Sequence, residues 1–165
     1  MSKFCADFID SNEVDIKQCL QVRQNHINFD NIALVICSPL RRCLETCKQI
    51  TQGHSGFSIV VEPMLCSRLS ASWSIGSSAL VLQQDYPSFD FSALLDNPER
   101  WMFSLLRHCE TLDREDIKEM NYSMQEFFLT MLSKGFEESY KKFYQRTREL
   151  KKRLASTIAS NISKP

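Results

Sequence analysis

Apolar residues are spaced in two ways along this chain. Continuous runs are typical of buried strands, and recurrence every three or four positions is typical of helices. Ile32 to Cys37 is an unbroken apolar run of strand length, and Phe57 to Val61 is a second run that stops before Pro63. Between the runs, apolar residues recur every three or four positions and predict a helix that begins near Pro39. A strand, a helix and a strand in this order predict a βαβ unit with a parallel strand pair. The apolar face of the helix comprises Leu40, Cys43, Leu44, Cys47 and Ile50.

The rest of the chain has mainly helical periodicity. Residues 14–27 predict a helix before the first strand, residues 77–84 predict a short helix, and residues 89–95 are interpreted as an apolar loop. From Pro98 onward, three apolar stripes predict helices throughout, and the third stripe begins with Phe136 and Tyr140. We therefore expect one α/β domain over residues 1–165, with an incomplete parallel sheet and a mostly helical C-terminal half.

Composition and charge narrow the classes of partner. Twenty basic and twenty acidic residues cancel, so the overall charge favours neither nucleic acid nor an acidic membrane surface. No apolar run reaches the roughly 18 residues of a membrane span. Acidic residues stand where a signal peptide would be apolar, which indicates a cytoplasmic protein. The seven cysteines form neither a Cys-x-x-Cys pair nor a metal-ligand grouping, so we expect reduced thiols, no metal and no cofactor.

The last predicted helix carries many basic residues on what we interpret as its solvated outer face. A nucleic-acid surface would require support from aromatic residues or a motif, and here the aromatic residues lie on the opposite stripe. We therefore expect no nucleic-acid partner. The basic residues are Lys141, Lys142, Arg146, Arg148, Lys151, Lys152 and Arg153.

The turn after the first predicted strand is the strongest candidate for chemistry. It consists of Ser38, Pro39, Leu40, Arg41 and Arg42, and it lies where the strand should end and the helix begin. A helix N-terminus presents free N–H groups and the positive end of the helix dipole. An arginine adds a planar fork of donors that suits phosphate oxygens. The turn therefore predicts a phosphate site built on Arg42, with Arg41 and Ser38 as further contacts.

The segment SPLRRCLETCKQI, residues 38–50, resembles the second signature of the histidine phosphatase superfamily, the phosphoglycerate-mutase-like proteins. In that family a Ser-Pro-Leu-x-Arg turn follows a buried strand, and a Thr comes four residues after the Arg. These positions are Arg42 and Thr46 here. The resemblance implies a three-layer αβα fold, a contact between Arg42 and the substrate phosphate, and a structural role for Thr46.

Two later segments are similar to patterns of the same family and come in the same order. The first runs from Ile75 to Leu95 and is followed by Trp101 at an aromatic position of the family. The second runs from Phe136 to Leu150 and resembles a late Glu-Ser helix with an Arg seven residues after the Ser, here Arg146. The shared order extends the resemblance over most of the chain.

The same resemblance identifies the catalytic groups that this sequence does not match. The family's nucleophile is a His in an Arg-His-Gly motif ahead of the Ser-Pro-Leu turn, and the sole His before Ser38 is His26, outside such a motif. The family's second His belongs to a strand after the Glu-Ser helix, where this sequence reaches Pro165. The position of the general acid holds Ser67, which cannot donate a proton as a carboxylic acid does.

We therefore expect a histidine-phosphatase-like domain that lacks the first and last core strands of the family and has no phosphatase or mutase activity. It would retain weak affinity for phosphate or a phosphomonoester. Without the missing strands, the run from Ile32 to Cys37 would leave N–H and C=O groups unpaired along its edge. This predicts low stability, self-association through the sheet edge, or coverage of the edge by the N-terminal segment or an extra helix.

Two alternatives stay open. Arg107, His108 and Cys109 resemble the family's first signature with Cys in place of Gly, so an active phosphomonoesterase could use His108 with Arg107 and Arg42. The position of this triplet, after the Ser-Pro-Leu turn and inside an apolar helical stripe, favours chance similarity. The other alternative is a helical, non-enzymatic interaction protein in which the Ser-Pro-Leu turn is merely a helix start.

Overall fold

The computed structural model describes residues 13–99, 101–106 and 123–162. The regular elements before residue 62 are α1 (Glu13–His26), β1 (Leu34–Cys37), α2 (Arg41–Thr51) and β2 (Ser58–Val61). The later helices are α3 (Ala79–Asp85), α4 (Ser92–Leu95), α5 (Met124–Ser133) and α6 (Tyr140–Ile162). Short 3₁₀ segments cover Phe29–Asn31, Pro63–Leu65, Ser72–Ser74 and Trp101–Leu106.

The predicted βαβ unit is confirmed. Strands β1 and β2 pair in parallel with Leu34 opposite Ser58 and Cys37 opposite Val61, and α2 connects them. Helix α2 buries Leu44 and Cys47 as its apolar spacing predicts. After the helix the chain turns at Gly53, whose φ of +79° is a left-handed conformation that glycine adopts without a Cβ clash. The parallel sheet formed by β1 and β2 is small, because each strand is only four residues long.

The segment after α3 adds a short contact to the far edge of β2. The Asp90 N–H donates to the Ile59 carbonyl and the Val61 N–H donates to the Asp90 carbonyl, both at 2.8 Å. The Asp90 side chain then accepts the Ser92 N–H at 2.8 Å, where α4 begins. The interpretation of residues 89–95 as a loop is therefore wrong at its C-terminal end, because this Asp90 contact starts a helical turn there.

One cluster of buried apolar side chains joins the sheet to α2, α3, α4, α5 and the Trp101–Leu106 segment. Burial of each large side chain in such a cluster stabilises the fold by about 1.5–3 kcal/mol relative to exposure. The cluster fixes the carboxyl ends of the strands against the loops that follow them. Its largest fully buried apolar members are Phe91, Phe128, Leu44, Leu82 and Leu94.

The C-terminal half differs from the continuous helix pattern that the sequence predicts. Helix α5 ends at Ser133. Gly135 follows with a φ of +82°, and the Phe136 N–H turns back to donate to the Met131 carbonyl at 3.0 Å. Phe136 therefore precedes the last helix. Tyr140, assigned to the apolar stripe, is 65% exposed, and Arg146, assigned to the basic outer face, is buried. None of the helices in the described segments is long and apolar enough to cross a membrane.

Candidate functional site

The turn between β1 and α2 is buried up to its first arginine. Ser38, Pro39 and Leu40 all lie in the protein interior. The Leu40 N–H donates to the Ser38 Oγ at 3.4 Å, and the Leu40 carbonyl accepts the Cys43 N–H at 2.8 Å to open the helix. The sequence thus folds into a fixed strand-to-helix turn, and α2 starts at Arg41 with its N-terminus at the carboxyl end of β1.

Arg42 reaches from this turn to the loop that follows β2. Its Nη1 donates to the Trp73 carbonyl, and its Nη2 donates to the Ser67 Oγ at 3.2 Å. Arg42, Ser67 and Trp73 are all solvent-exposed, and Trp73 is 64% exposed. A guanidinium carries five N–H groups, so these two neutral acceptors leave donor capacity on an exposed cation.

The hydroxyl groups around Arg42 form a short chain that leads into the interior. Ser67 Oγ donates to Ser74 Oγ at 3.3 Å, and Ser74 Oγ donates to the Arg68 carbonyl at 3.0 Å. Ser67 therefore accepts from Arg42 and donates to a buried neighbour. These hydrogen bonds fix the Arg42 guanidinium through neutral acceptors. No carboxylate takes part in them, so the positive charge of Arg42 stays available to an anion.

The other predicted phosphate contacts lie apart from this exposed face. Arg41 Nη1 pairs with the Asp85 carboxylate at 2.6 Å, at the end of α3. The Ser38 Oγ is buried beside the Cys66 Sγ at 3.9 Å. The structure thus brings Arg42 together with Ser67, whereas Arg41 pairs with the carboxylate of Asp85. Arg107 and His108 lie outside the described residues.

The two histidines in the described segments lie at or just after the C-terminal ends of helices, whereas Arg42 lies near the N-terminal end of α2. His26 is the last residue of α1, and His54 follows the C-terminus of α2, where it accepts from Arg23 Nε at 3.2 Å. Arg42 lies in the first turn of α2, at the opposite end of this 11-residue helix, which is about 16 Å long. Thr46 donates its hydroxyl to the Arg42 carbonyl at 2.8 Å, one turn along the helix.

A buried ion pair supports the loop that presents Ser67. Glu138 and Arg146 form a bidentate pair, and Arg146 Nη1 also donates to the carbonyls of Met64 and Cys66 at 2.7 and 2.9 Å. Glu138 in turn accepts the Leu69 N–H at 3.1 Å. Both residues belong to the Glu-Ser segment found in the sequence, but the run of basic residues in that segment predicts a solvated face for Arg146.

Two buried thiols near the turn, Cys37 and Cys66, are held in their neutral form. Burial raises the pKa of Cys66 to about 12. The pKa of Cys37 is raised by its hydrogen bond to Cys47 and by burial. A thiol in this state is a poor nucleophile, because the thiolate is the reactive form. The exposed guanidinium of Arg42, by contrast, has the charge and the N–H donors to bind an anion.

A small cavity beneath Ser67 has a volume of about 10 Å³, enough for about one water molecule. It is too small for a substrate, so an anion would bind at the exposed side of Arg42 rather than inside. Across the described segments, no group of three or more His, Cys, Asp or Glu residues could hold a metal ion. The cavity is lined by Cys66, Ser67, Leu69, Ser74, Met102, Leu105, Phe128, Glu138 and Arg146.

Comparisons of the chain with protein-family models, with curated proteins and with solved structures find no match.

Proposed function

We propose that this chain is a histidine-phosphatase-like domain of phosphoglycerate-mutase-like fold that binds a phosphate group weakly and has no phosphatase or mutase activity. The observation that carries the proposal is the exposed guanidinium of Arg42, fixed at the carboxyl end of β1 against Ser67 and Trp73. A phosphate dianion would supply an ionised acceptor to the remaining N–H donors of this cation, and such ion-paired hydrogen bonds are short and strong.

The contacts between the separate segments of the resemblance support the proposed fold. Arg42, from the Ser-Pro-Leu turn, contacts Ser67, at the position of the family's acid. Arg146, from the Glu-Ser segment, holds the backbone on either side of that serine. Gly76 packs against the ring of Trp101, so the Ile-Gly pattern touches the aromatic position that follows it. The Ser-Pro-Leu turn and the Glu-Ser segment therefore both contact the loop that holds Ser67.

The proposed lack of phosphatase activity is argued from the residue types around Arg42. The hydroxyl of Ser67 cannot supply a leaving group with a proton as a carboxylic acid would near neutral pH. The triplet Arg-His-Gly does not occur in the 165 residues. Arg42 can orient a phosphate, but positioning alone supplies neither a nucleophile nor an acid.

Phosphate-dependent thermal stabilisation of the purified chain tests the binding. A ligand that binds the folded state alone stabilises it by about 1.4 kcal/mol at ten times its Kd. Titration with sodium phosphate, against sodium chloride of equal ionic strength, should raise the Tm of the wild type. Arg42→Ala should lose this increase, and Arg41→Ala should keep it because Arg41 pairs with Asp85. A phosphate-dependent increase that survives Arg42→Ala would contradict the assigned site.

Turnover of a generic phosphomonoester tests the lack of activity. We expect no release of phosphate above the buffer rate and no acid-labile phosphoenzyme. Turnover that disappears in His108→Ala, in a variant that keeps the wild-type circular dichroism spectrum, would instead establish the active phosphomonoesterase. Binding and turnover are measured separately, so failure of one half of the proposal leaves the other half tested.

A further inference from the structure

Within the described segments, strand β1 pairs with another strand along one of its two edges only. The Ser58 N–H donates to the Ala33 carbonyl at 3.1 Å and the Glu62 N–H donates to the Cys37 carbonyl at 2.8 Å. Odd-numbered residues of β1 therefore direct their backbone groups towards β2, since these groups alternate along a parallel strand. The backbone groups of Leu34 and Ile36 point to the other edge, where no strand of the described part of the chain pairs with them.

The residues of this edge include none of the side chains that usually prevent strand pairing. Residues 31–40 contain no charged side chain, and their one proline, Pro39, lies beyond the end of the strand. Natural edge strands are commonly protected by lysine, by other charges, by proline or by a bulge. The composition of β1 is instead that of an internal strand.

The side chains beside this edge are also incompletely covered. Val35 and Cys37 lie on the face that packs into the core cluster. Leu34 and Ile36 alternate to the opposite face, outside that cluster, and Leu34 is 37% exposed. The edge therefore offers the N–H and C=O groups of Leu34 and Ile36 for pairing, and the apolar side chains of the same two residues lie on one face beside it.

We propose that β1 pairs antiparallel with β1 of a second copy of this chain, about a two-fold axis that passes beside Val35. In this register Leu34 lies opposite Ile36 of the partner subunit, and each such pair exchanges both of its N–H···O=C bonds. The same register sets the apolar side chains of these residues next to each other on one face. The sheet becomes continuous across both subunits.

A second copy fits this edge because the edge is complementary to itself. The two free backbone positions are symmetric about Val35, so a two-fold axis satisfies all of their groups at once. Equal numbers of acidic and basic residues leave no net charge to hold two copies apart. The uncharged stretch of residues 31–40 places no like charges against each other at the interface.

Sedimentation of the full chain at several concentrations, with a charge placed on the edge, tests this dimer. The wild type should sediment as a dimer that dissociates on dilution. Leu34→Lys should be monomeric at every concentration, because a lysine on an edge opposes pairing. Leu80→Lys is the matched control, since Leu80 is similarly exposed but lies on α3, and it should keep the wild-type dimer. Circular dichroism verifies that both variants are folded.

Amide hydrogen exchange locates the interface independently. The amides of Leu34 and Ile36 should become protected as the concentration rises, whereas the Val60 amide, which faces β1, should be protected throughout. A wild-type monomer at all concentrations, or a dimer unaffected by Leu34→Lys, would overturn the proposal. Protection of Leu34 and Ile36 in the monomer would also overturn it, because another segment of the same chain would then cover the edge.

Discussion

Arg146 and Glu138 form a bidentate ion pair inside the protein, with Nε–Oε1 and Nη2–Oε2 distances of 3.1 and 2.9 Å and side chains that are each 3% exposed. The pair is the junction between α6 and the loop after β2, because each partner also bonds to the backbone of that loop. Two charges removed from water require such complete partnering. The exposed contact between Arg42 and Ser67 thus depends on this buried pair, because Arg146 donates to the backbone carbonyls of Cys66 and Ser67.

Replacement of this buried arginine should destabilise the fold strongly. Arg146→Met leaves the Glu138 carboxylate buried without its cation and leaves the Met64 and Cys66 carbonyls without their donor. We expect a loss of about 3–5 kcal/mol in the free energy of unfolding, measured by urea denaturation. Arg146→Lys keeps the charge but loses the fork of donors, so its loss should be smaller.

An arginine on the solvated side of the same helix provides the control. Arg148 is exposed, and Arg148→Met should change the free energy of unfolding by less than about 0.5 kcal/mol. Equal effects of the two methionine variants would show that helix charge, rather than the buried pair, determines the stability. If Arg146→Met does not fold, the Lys variant still ranks the two sites.

The contact between Gly76 and Trp101 leaves no room for a side chain at position 76. An alanine Cβ there would overlap Cζ2 of the buried Trp101 ring, whose Nε1 is fixed by donation to the Ser77 carbonyl at 2.8 Å. Gly76→Ala should therefore cost about 1–3 kcal/mol in thermal or urea unfolding. Trp101→Phe removes the overlapping atoms, so the double variant should lose less than the sum of the two single variants. Strict additivity would exclude the steric cause.

The strand-to-helix turn could be predicted from the sequence because its information is local. A continuous apolar run, a proline at the helix start and apolar residues at helical spacing each act within a few residues of one another. The bounds of β1 and α2 agree with this pattern to within about two residues. The parallel pairing of β1 with β2 followed from the order of these elements.

The support behind Ser67 could not be predicted, because it depends on residues far apart in the chain. Arg146 lies 80 positions from Cys66, and nothing in the periodicity of α6 distinguishes it from its exposed basic neighbours. Tyr140 likewise fits the apolar stripe by spacing, yet its ring is exposed and lies under the Arg68 guanidinium at 4.4 Å. Helical spacing predicts a face, whereas the tertiary partners decide which members of that face are buried.

Stability should fall at alkaline pH because of the buried thiol of Cys66. Its pKa is raised by burial to about 12, whereas an unfolded cysteine titrates near 8.5. Between these values the unfolded chain has released the proton and the folded chain has not, so unfolding becomes easier as pH rises. This group alone contributes about 1.4 kcal/mol per pH unit in that range.

Urea unfolding from about pH 8 to about pH 11 measures this slope. Cys66→Ala should show a shallower decline, and Leu69→Val, at a buried side chain that does not titrate, should keep the wild-type slope. Tyr86 adds a decline of the same sign, because burial raises its pKa from 10.0 to about 12. A slope unchanged by Cys66→Ala would mean that this thiol does not retain its proton in the folded state.

A carboxylate at position 67 should abolish phosphate binding while leaving the fold intact. The Ser67 Oγ lies 3.2 Å from Arg42 Nη2 on the exposed side of the loop, so a glutamate there would pair with the guanidinium and repel an anion. Ser67→Glu should lose the phosphate-dependent rise in Tm, whereas Ser67→Gln, of equal size and no charge, should keep it. The new pair is exposed, so the Tm without phosphate should change little. The added carboxylate should not produce phosphatase turnover either, because an acid without a nucleophile cannot form the covalent intermediate. A phosphate response that survives Ser67→Glu would place the anion away from Arg42.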